Sequence, residues 1–408
     1  MVQSQFRKYR GETKMTKIMA VNAGSSSLKF QLLEMPEEKV ITSGLVERIG
    51  MKDSVFTIKV NGDKLQLIQD VENHSVAVKL VVDKLIELEI IANFEEIQGV
   101  GHRVVQGASV LTHSVVITQK EIDILESIVD LAPLHLVPNL TGIKAFMEIL
   151  PNVKQVAVFD TAFHQTMAEE AFLYAVPYDW YERYSVRKYG FHGTSHQYVS
   201  ERVAQILGKP LSETNTIVCH LGNGASICAV KGGKSIDTSM GFTPLEGIPM
   251  GTRSGNIDPA IIEYMMVKKN KSAKEIINIL NKLSGYLGVS GISSDSRDLV
   301  SAAEKGDQKA AMAIEVQAKR IVDYIASYYV YMGGADAIVF TAGIGENAPG
   351  TRANIINRLA VLGAKIDLER NNCRGVERLI STDDSKIKVF VIPTNEEVMI
   401  ARDTMSLL

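Results

Sequence analysis

The sequence predicts an α/β chain of two domains laid out on one repeated scheme. A short turn of small residues between two apolar runs appears twice, about 200 residues apart. Near the start, residues 18–21 meet Asn22, Ala23, Gly24, Ser25, Ser26 and Ser27 before an apolar run over 28–33. Later, residues 216–221 meet Gly222, Asn223, Gly224, Ala225 and Ser226 before a run over 227–230. Gly, Ser and Asn let backbone N–H groups approach a phosphate closely, and the hydroxyls add donors. Strand-length apolar segments that stop at polar residues recur in both halves, at 155–159 before Asp160 and at 337–341 before Ala342-Gly-Ile-Gly-Glu-Asn347. Between them lie segments whose apolar residues return every three or four positions, as in helices packed on one face. Two phosphate-holding turns in duplicated halves suit phosphoryl transfer from a nucleotide.

Residues 16–60 read as strands: the first turn with its two flanks, then 40–46 and 55–60. Asn61-Gly62-Asp63 marks a hairpin, since Asn-Gly takes positive φ readily. Residues 76–91 predict an amphipathic helix, and 99–105 a strand carrying His102 and Arg103. A short strand at 115–117 and a helix at 120–129 follow, and Pro133 and Pro138 bracket a loop holding His135. The strand at 155–159 ends in Asp160, at the carboxyl end where open α/β sheets place their ligands. The domain boundary is set near here. The second half starts the scheme again, with the second turn and its flanks, a turn at 231–234, and helices over 260–283 and 309–332. A buried strand at 337–341 and a last one at 389–392 follow, the latter ending at Pro393-Thr-Asn-Glu-Glu397. A final helix over 398–405 is expected to pack back on the first domain.

At 408 residues and 46% apolar, the chain has core enough for two domains. A net charge of −3 leaves no electrostatic footprint for nucleic acid or an anionic membrane, while a few arginines would serve a small anion. Cys219, Cys228 and Cys373 lack metal-ligand spacing and read as buried free thiols of a reducing cytosol. No apolar run reaches the ~18–20 residues that span a bilayer. Residues 1–15 are polar and basic, without the apolar stretch of a secretory signal. They read as a disordered extension, with Met15 an alternative start. The expected location is cytoplasmic, with no nucleic-acid and no membrane partner.

No G-x-x-x-x-G-K-[ST] loop is present. Gly343-Ile-Gly-Glu-Asn-Ala348 fits G-x-G-x-x-A after a strand, with Asp367 about twenty residues on. Glycines after a strand serve an adenosine equally well, and a dinucleotide is the weaker reading. Arg103 lies in an apolar stretch, and Arg253 among small residues in Met250-Gly-Thr-Arg-Ser-Gly255. A guanidinium in such surroundings needs an anion. A structural carboxylate would satisfy it, and so would a substrate carboxylate or phosphoryl group. Glycines on either side of His192 let something approach its imidazole, which would donate to an oxygen of a migrating phosphoryl group; the plainer reading is a packed core histidine. His135, His164, His196 and His220 stay closer to scaffold. No His/Cys/Glu cluster suggests zinc or iron. Mg2+ held through one or two protein oxygens plus nucleotide phosphates fits Asn22 and Glu396. Lys29 is placed to neutralise phosphate charge, or else is a solvated strand-end lysine.

Three long motifs, Asn22-Ala-Gly-Ser-Ser-Ser-Leu-Lys29, Tyr189-Gly-Phe-His-Gly-Thr-Ser-His196 and Gly241-Phe-Thr-Pro-Leu-Glu-Gly-Ile-Pro-Met-Gly-Thr-Arg-Ser-Gly255, resemble the signatures of the acetate kinase family. The likeness runs from about residue 17 to the C-terminus. It implies a duplicated two-domain α/β fold of the actin-like ATPase (ribonuclease H-like) type with a cleft between domains. It also implies a homodimer, and Mg2+-dependent interconversion of ATP and acetate with ADP and acetyl phosphate; Mn2+ can replace Mg2+. Residues 16–162 with 397–408 would form the acyl-substrate domain, and 163–396 the nucleotide-binding and dimerisation domain. By matching motif, Asn22 and Glu396 would hold the metal and Lys29 a nucleotide phosphate. Arg103 would hold the substrate carboxylate, and Asp160 would be the acid/base or positioning carboxylate. His192 and Arg253 would stabilise the transition state. His220, Leu221, Gly222, Asn223, Gly224, Asp295, Ser296, Arg297, Gly343, Ile344, Gly345, Glu346 and Asn347 would line the ATP site. Val105, Leu134, Phe191 and Pro244 resemble the pocket for the acetate methyl.

The chain departs from the family pattern twice. After Arg103 the family usually reads Val-Val-His-Gly-Gly, where this chain has Val104-Val-Gln-Gly-Ala108; after His135 the usual Asn-Pro is replaced by Leu136-Val-Pro-Asn139. Both flank the expected acyl pocket and bear on substrate preference. A propionate or other short-chain acyl kinase is therefore an alternative, since one methylene in an apolar pocket discriminates by only ~1–3 kcal/mol. A non-catalytic nucleotide-binding protein of the actin-like type is a second. The paired arginines and His192 speak against it, because a switch needs no anion site beyond the γ-phosphate.

Overall fold

The computed structural model describes residues 15–408; the extension read over residues 1–15 lies, save for Met15, outside them. Among the described residues the chain forms two compact units. One runs to Ala162 and regains the chain at Glu396–Leu408; the other is Phe163–Asn395. The return falls between Asn395 and Glu396, where the sequence reading put it one residue later.

In the first unit, β1 (Thr16–Ala23), β2 (Ser27–Met35), β3 (Lys39–Glu47), β4 (Ser54–Val60), β5 (Asp63–Gln69), β6 (Ile97–Val104), β7 (Val115–Val116) and β8 (Lys154–Phe159) form one sheet in the order β5-β4-β3-β2-β1-β6-β8-β7. The first five run as an antiparallel meander, while β1-β6 and β6-β8 are parallel. Central strands buried on both faces read as unbroken apolar runs, and Ile18, Met19, Ala20 and Val21 of β1 are buried. The edge strand β5 is largely exposed. The helix His74–Glu87, capped by the Asn73 side chain, packs Val78, Val81 and Val82 into the same core as Phe30 and Phe146. Gly99 and Gly101 have a packing reason: a Cβ on Gly101 would sit 2.2 Å from Thr404 Oγ1 and 2.5 Å from the Ile400 side chain. Their bareness lets the last helix, Glu396–Ser406, lie directly on β1 and β6.

One local expectation changes in the first unit. Residues 133–138 are no loop: Pro133 opens the helix Pro133–Ile149 and Pro138 lies inside it. A proline at a helix start is pre-shaped for it, because its missing N–H would have no partner there. Here tertiary burial of Leu136, Ile143 and Phe146 carries the helix past the second proline.

The second unit repeats the arrangement with β9 (Asn215–Leu221), β10 (Ala225–Lys231), β11 (Lys234–Thr238), β12 (Ala337–Thr341), β13 (Arg378–Leu379) and β14 (Lys388–Val391), in the order β11-β10-β9-β12-β14-β13. The run β3-β2-β1-β6-β8 and the run β11-β10-β9-β12-β14 match strand for strand: an antiparallel three-strand meander, then two parallel strands. The helix Gly193–Leu207 packs Val199 and Val203 on Val218, Val339 and Phe390. The long helix Gln308–Met332 packs on β9 and β10. Residues 260–283 carry two helices, Ala260–Lys269 and Ala273–Lys282, parted at the left-handed Asn270. The glycine-rich turn after β12 is itself a short helix, Ala342–Asn347.

Candidate active site

In the first unit the candidate residues gather at the carboxyl ends of three neighbouring strands. Arg103 stands near the end of β6, and Asp160 follows the last residue of β8, its parallel neighbour. The pair is bidentate: Arg103 Nε donates to Asp160 Oδ1 at 2.8 Å and Nη2 to Oδ2 at 2.7 Å, with Asp160 only 1% exposed. Burial alone would lower the Arg103 guanidinium, but the charges of Asp160 and Glu396 and the hydrogen bonds to Asp160 push it above its ordinary value. It stays a cation at every working pH. Glu396 opens the last helix, and its Oε1 is buried with no hydrogen-bond partner among the described residues. Burial raises its carboxyl above the usual range, an effect Arg103 opposes and Asp160 reinforces. Lys29 on β2 is exposed and pairs with Glu397. Asn22, on β1, is half-buried opposite Lys29 across the hairpin.

The turn after β1 closes when Gly24 N–H donates to Ser27 O at 2.8 Å. Asn139 ties this turn to the end of β6. Its Nδ2 donates to Ala23 O at 2.9 Å, and its Oδ1 accepts from Val105 N–H at 3.1 Å. Of the residues that depart from the family pattern, Leu136 is wholly buried in the core, Val137 is exposed, and Gln106 is buried with its Oε1 capping Ala108 N–H. The Leu134 side chain lies outside the described residues.

In the second unit, the turn after β9 brings His192, His220 and Arg253 together. A Cβ on Gly224 would sit 3.3 Å from Arg253 Nη1 and 3.6 Å from His192 Nε2. His192 takes a left-handed backbone, φ 59°, just before its helix. Its ring stacks on His220 with centroids 4.1 Å apart. Arg253 is half-buried and forms no ion pair with a carboxylate among the described residues. Nη1 donates to Pro244 O at 3.3 Å and lies 3.7 Å from Met250 Sδ. Burial without a counter-anion holds its guanidinium below the ordinary value. Phe191 is buried and Pro244 half-buried, in sequence-distant loops of the same unit.

A cavity of about 540 Å3 opens in this unit, lined by Gly222, Asn223, Asp295, Ser296, Arg297, Gly343, Ile344 and Asn347, and also by Ser294, Ala348 and Arg374. Its size suits a nucleotide. Asp295 caps the helix Ser296–Glu304 and is held at about 2 by hydrogen bonds from the Arg297 side chain and backbone. The remaining expected residues lie elsewhere. Leu221 is wholly buried in β9, and His220 is held by Ser195 Oγ at 2.8 Å. Glu346 turns inward, its Oε1 accepting from Ala342 N–H at 2.8 Å and Thr394 N–H at 3.2 Å. Gly345 is buried, its carbonyl accepting from Arg352 Nη1 at 2.9 Å.

Sequence reasoning missed Arg352, which is wholly buried and hydrogen-bonds Asn371 as well as the Gly345 and Cys373 carbonyls, fixing the glycine turn from behind. It missed Arg374 too, a cation in an otherwise plain loop that lines the cavity.

The acetokinase family model matches residues 17–402. The chain belongs to the acetokinase family. An acetate kinase from Anoxybacillus flavithermus is 59% identical over 393 residues, covering 96% of this chain and 99% of that protein. The crystal structure of Porphyromonas gingivalis acetate kinase superposes with a TM-score of 0.91 at 44% identity, covering 96% of this chain and 99% of that one. A propionate kinase from Francisella tularensis does so with the same TM-score and identity, covering 97% and 100%. The two-domain actin-like kinase fold expected from the motifs is thus the fold of this chain, and ATP is the co-substrate that goes with the family.

Proposed function

We propose that this protein is an acetate kinase, interconverting acetate and ATP with acetyl phosphate and ADP. The observation that carries the reading is Arg253, a half-buried cation without a carboxylate, set with His192 around the backbone of Gly224. Such a group asks for an anion, and a phosphoryl group in flight supplies one.

The chemistry needs little beyond alignment and charge. A carboxylate oxygen of acetate attacks the γ-phosphorus, a new P–O bond forms, and the bond to the β-phosphate oxygen breaks as ADP leaves. Acetate is already ionised at neutral pH, so no proton has to be removed. Arg103 spends Nε and one Nη2 hydrogen on Asp160. That leaves its terminal Nη1–Nη2 edge free to take the acetate carboxylate in a second fork. Both Asp160 oxygens already accept from Arg103, which supports a positioning role over acid/base work. Val105, Leu134, Phe191 and Pro244 are assigned to the methyl group. His192 and Arg253 donate to the equatorial oxygens of the migrating phosphoryl group, and the cavity along Gly222, Asp295 and Gly343 takes the nucleotide.

The residues fit Mg2+. Glu396 carries a buried, unpartnered carboxylate oxygen, and an amide oxygen from Asn22 would complete a sparse oxygen set of the kind Mg2+ shares with phosphates. The ion would supply charge neutralisation on the nucleotide phosphates. Homodimerisation is proposed through exposed apolar side chains of the second unit, such as Tyr264, Val267 and Val330, and a cytoplasmic location goes with the reading. Among the described residues no helix is long and apolar enough to cross a membrane.

The test is acyl hydroxamate formation from Mg·ATP with acetate, propionate or butyrate in hydroxylamine. Highest kcat/KM with acetate is expected. Faster turnover of a longer acid would move the assignment to another acyl kinase, and tight ATP binding with no hydroxamate would remove the acyl acceptor altogether.

A further inference from the structure

Two imidazoles share one hydroxyl behind the candidate phosphoryl site. Ser226 Oγ on β10 lies 2.9 Å from His192 Nδ1 and 2.7 Å from His196 Nε2. A serine hydroxyl has one proton to give and lone pairs to accept with. Its two partners are best satisfied when one ring donates to it and the other accepts from it.

His196 decides the direction. Its ring is wholly buried, and its Nδ1 has no hydrogen-bond partner among the described residues. Burial first, then the neighbouring His164 and His220, keeps it well below the usual histidine value, so it is neutral and carries one N–H. A proton on Nδ1 would strand a buried donor, whereas a proton on Nε2 strands only a lone pair; unpaired buried N–H groups are the rarer of the two. His196 therefore donates from Nε2 to Ser226, and Ser226 donates to His192 Nδ1. In the neutral form of His192 the proton is then left on Nε2, the nitrogen that flanks Gly224 together with Arg253 Nη1.

We propose that Ser226 and His196 are positioning residues that set the tautomer of His192, holding its Nε2 as a donor toward phosphoryl oxygens. The opposite polarity would present a lone pair to those oxygens and repel them. The catalytic consequence rests on His192 acting on the phosphoryl group; the tautomer itself does not.

The experiment uses the full chain labelled with 15N-histidine, with the His192 ring signals identified by their loss in His192→Gln. Wild type is expected to show the Nε2–H pattern. Ser226→Ala should give a mixture of tautomers and lower kcat about tenfold, the worth of one well-placed hydrogen bond, with KM for acetate and ATP changed less than about twofold. Ser226→Thr keeps the hydroxyl, and His196→Gln keeps a donor at the Nε2 position; both should restore tautomer and rate. An Nδ1–H pattern in wild type overturns the proposal, as does a Ser226→Ala rate loss without a tautomer change. An Nε2–H pattern with full activity in His192→Ala would instead remove the phosphoryl role while leaving the relay standing.

Discussion

Arg103 and Arg253 look alike in sequence and differ in what surrounds them. Arg103 has a buried carboxylate fixing one edge of its fork, so its orientation is set before any substrate arrives. Arg253 has only a carbonyl and a sulfur, and under the proposed function its counter-anion would be the migrating phosphoryl group. Arg253→Ala is expected to lower kcat by about 10^2–10^3 with KM for acetate and ADP within a few fold, since an interaction made only in the transition state is lost. Steady-state kinetics in both directions check this, and an equal loss in ADP binding would count against it. Ala108 makes a second residue-level case. It holds a left-handed backbone, φ 53°, in the turn after β6 where the family usually has glycine. A Cβ there costs about 1 kcal/mol, so Ala108→Gly should raise the Tm by about 2–4 °C, read by calorimetry.

At the level of elements, the helix Pro133–Ile149 shows how packing outvotes local punctuation. Two prolines five residues apart argue for a loop, and only the buried positions of Leu136, Ile143 and Phe146 argue otherwise. Pro138 withholds one N–H from the ladder and crowds the preceding turn. Pro138→Ala should therefore stabilise the first unit by about 1–3 kcal/mol, measured by urea unfolding; a loss would mean that the bend it makes is needed to bring Asn139 to Ala23 and Val105. The turn after β12 shows the reverse weakness of local reading. Its glycines announced close approach, yet Gly343 faces the cavity while Gly345 faces Arg352, a division set by one helical turn that spacing alone does not reveal.

On the scale of the whole molecule, both units bury a neutral histidine, and this shapes the acid response. His102 is held by Gln155 at 2.8 Å and pushed down to about 4 by burial; His196 is shifted in the same direction. A folded value below the unfolded one gives stability that is present at neutral pH and lost as pH falls from about 6.5 toward 4. For His102 this amounts to roughly 3 kcal/mol. Unfolding free energies at pH 7, 6 and 5 should therefore fall more steeply in wild type than in His102→Gln. Equal slopes would show that His102 is already protonated when folded.

The duplicated α/β plan was legible because it rests on local, short-period signals: small-residue turns between apolar runs, and strands that end in polar residues. Residue types such as Arg103, His192 and Arg253 could be singled out because a charge or imidazole among small or apolar neighbours demands a partner. Which partner each one has was not legible. That Arg103 meets Asp160 across two parallel strands, that Glu396 returns with the last helix onto β1 and β6, and that Ser226 joins two histidines follows from strand order and register. Those are set by long-range pairing between residues from 30 to well over 300 apart along the chain, and a single sequence carries no local trace of such pairings.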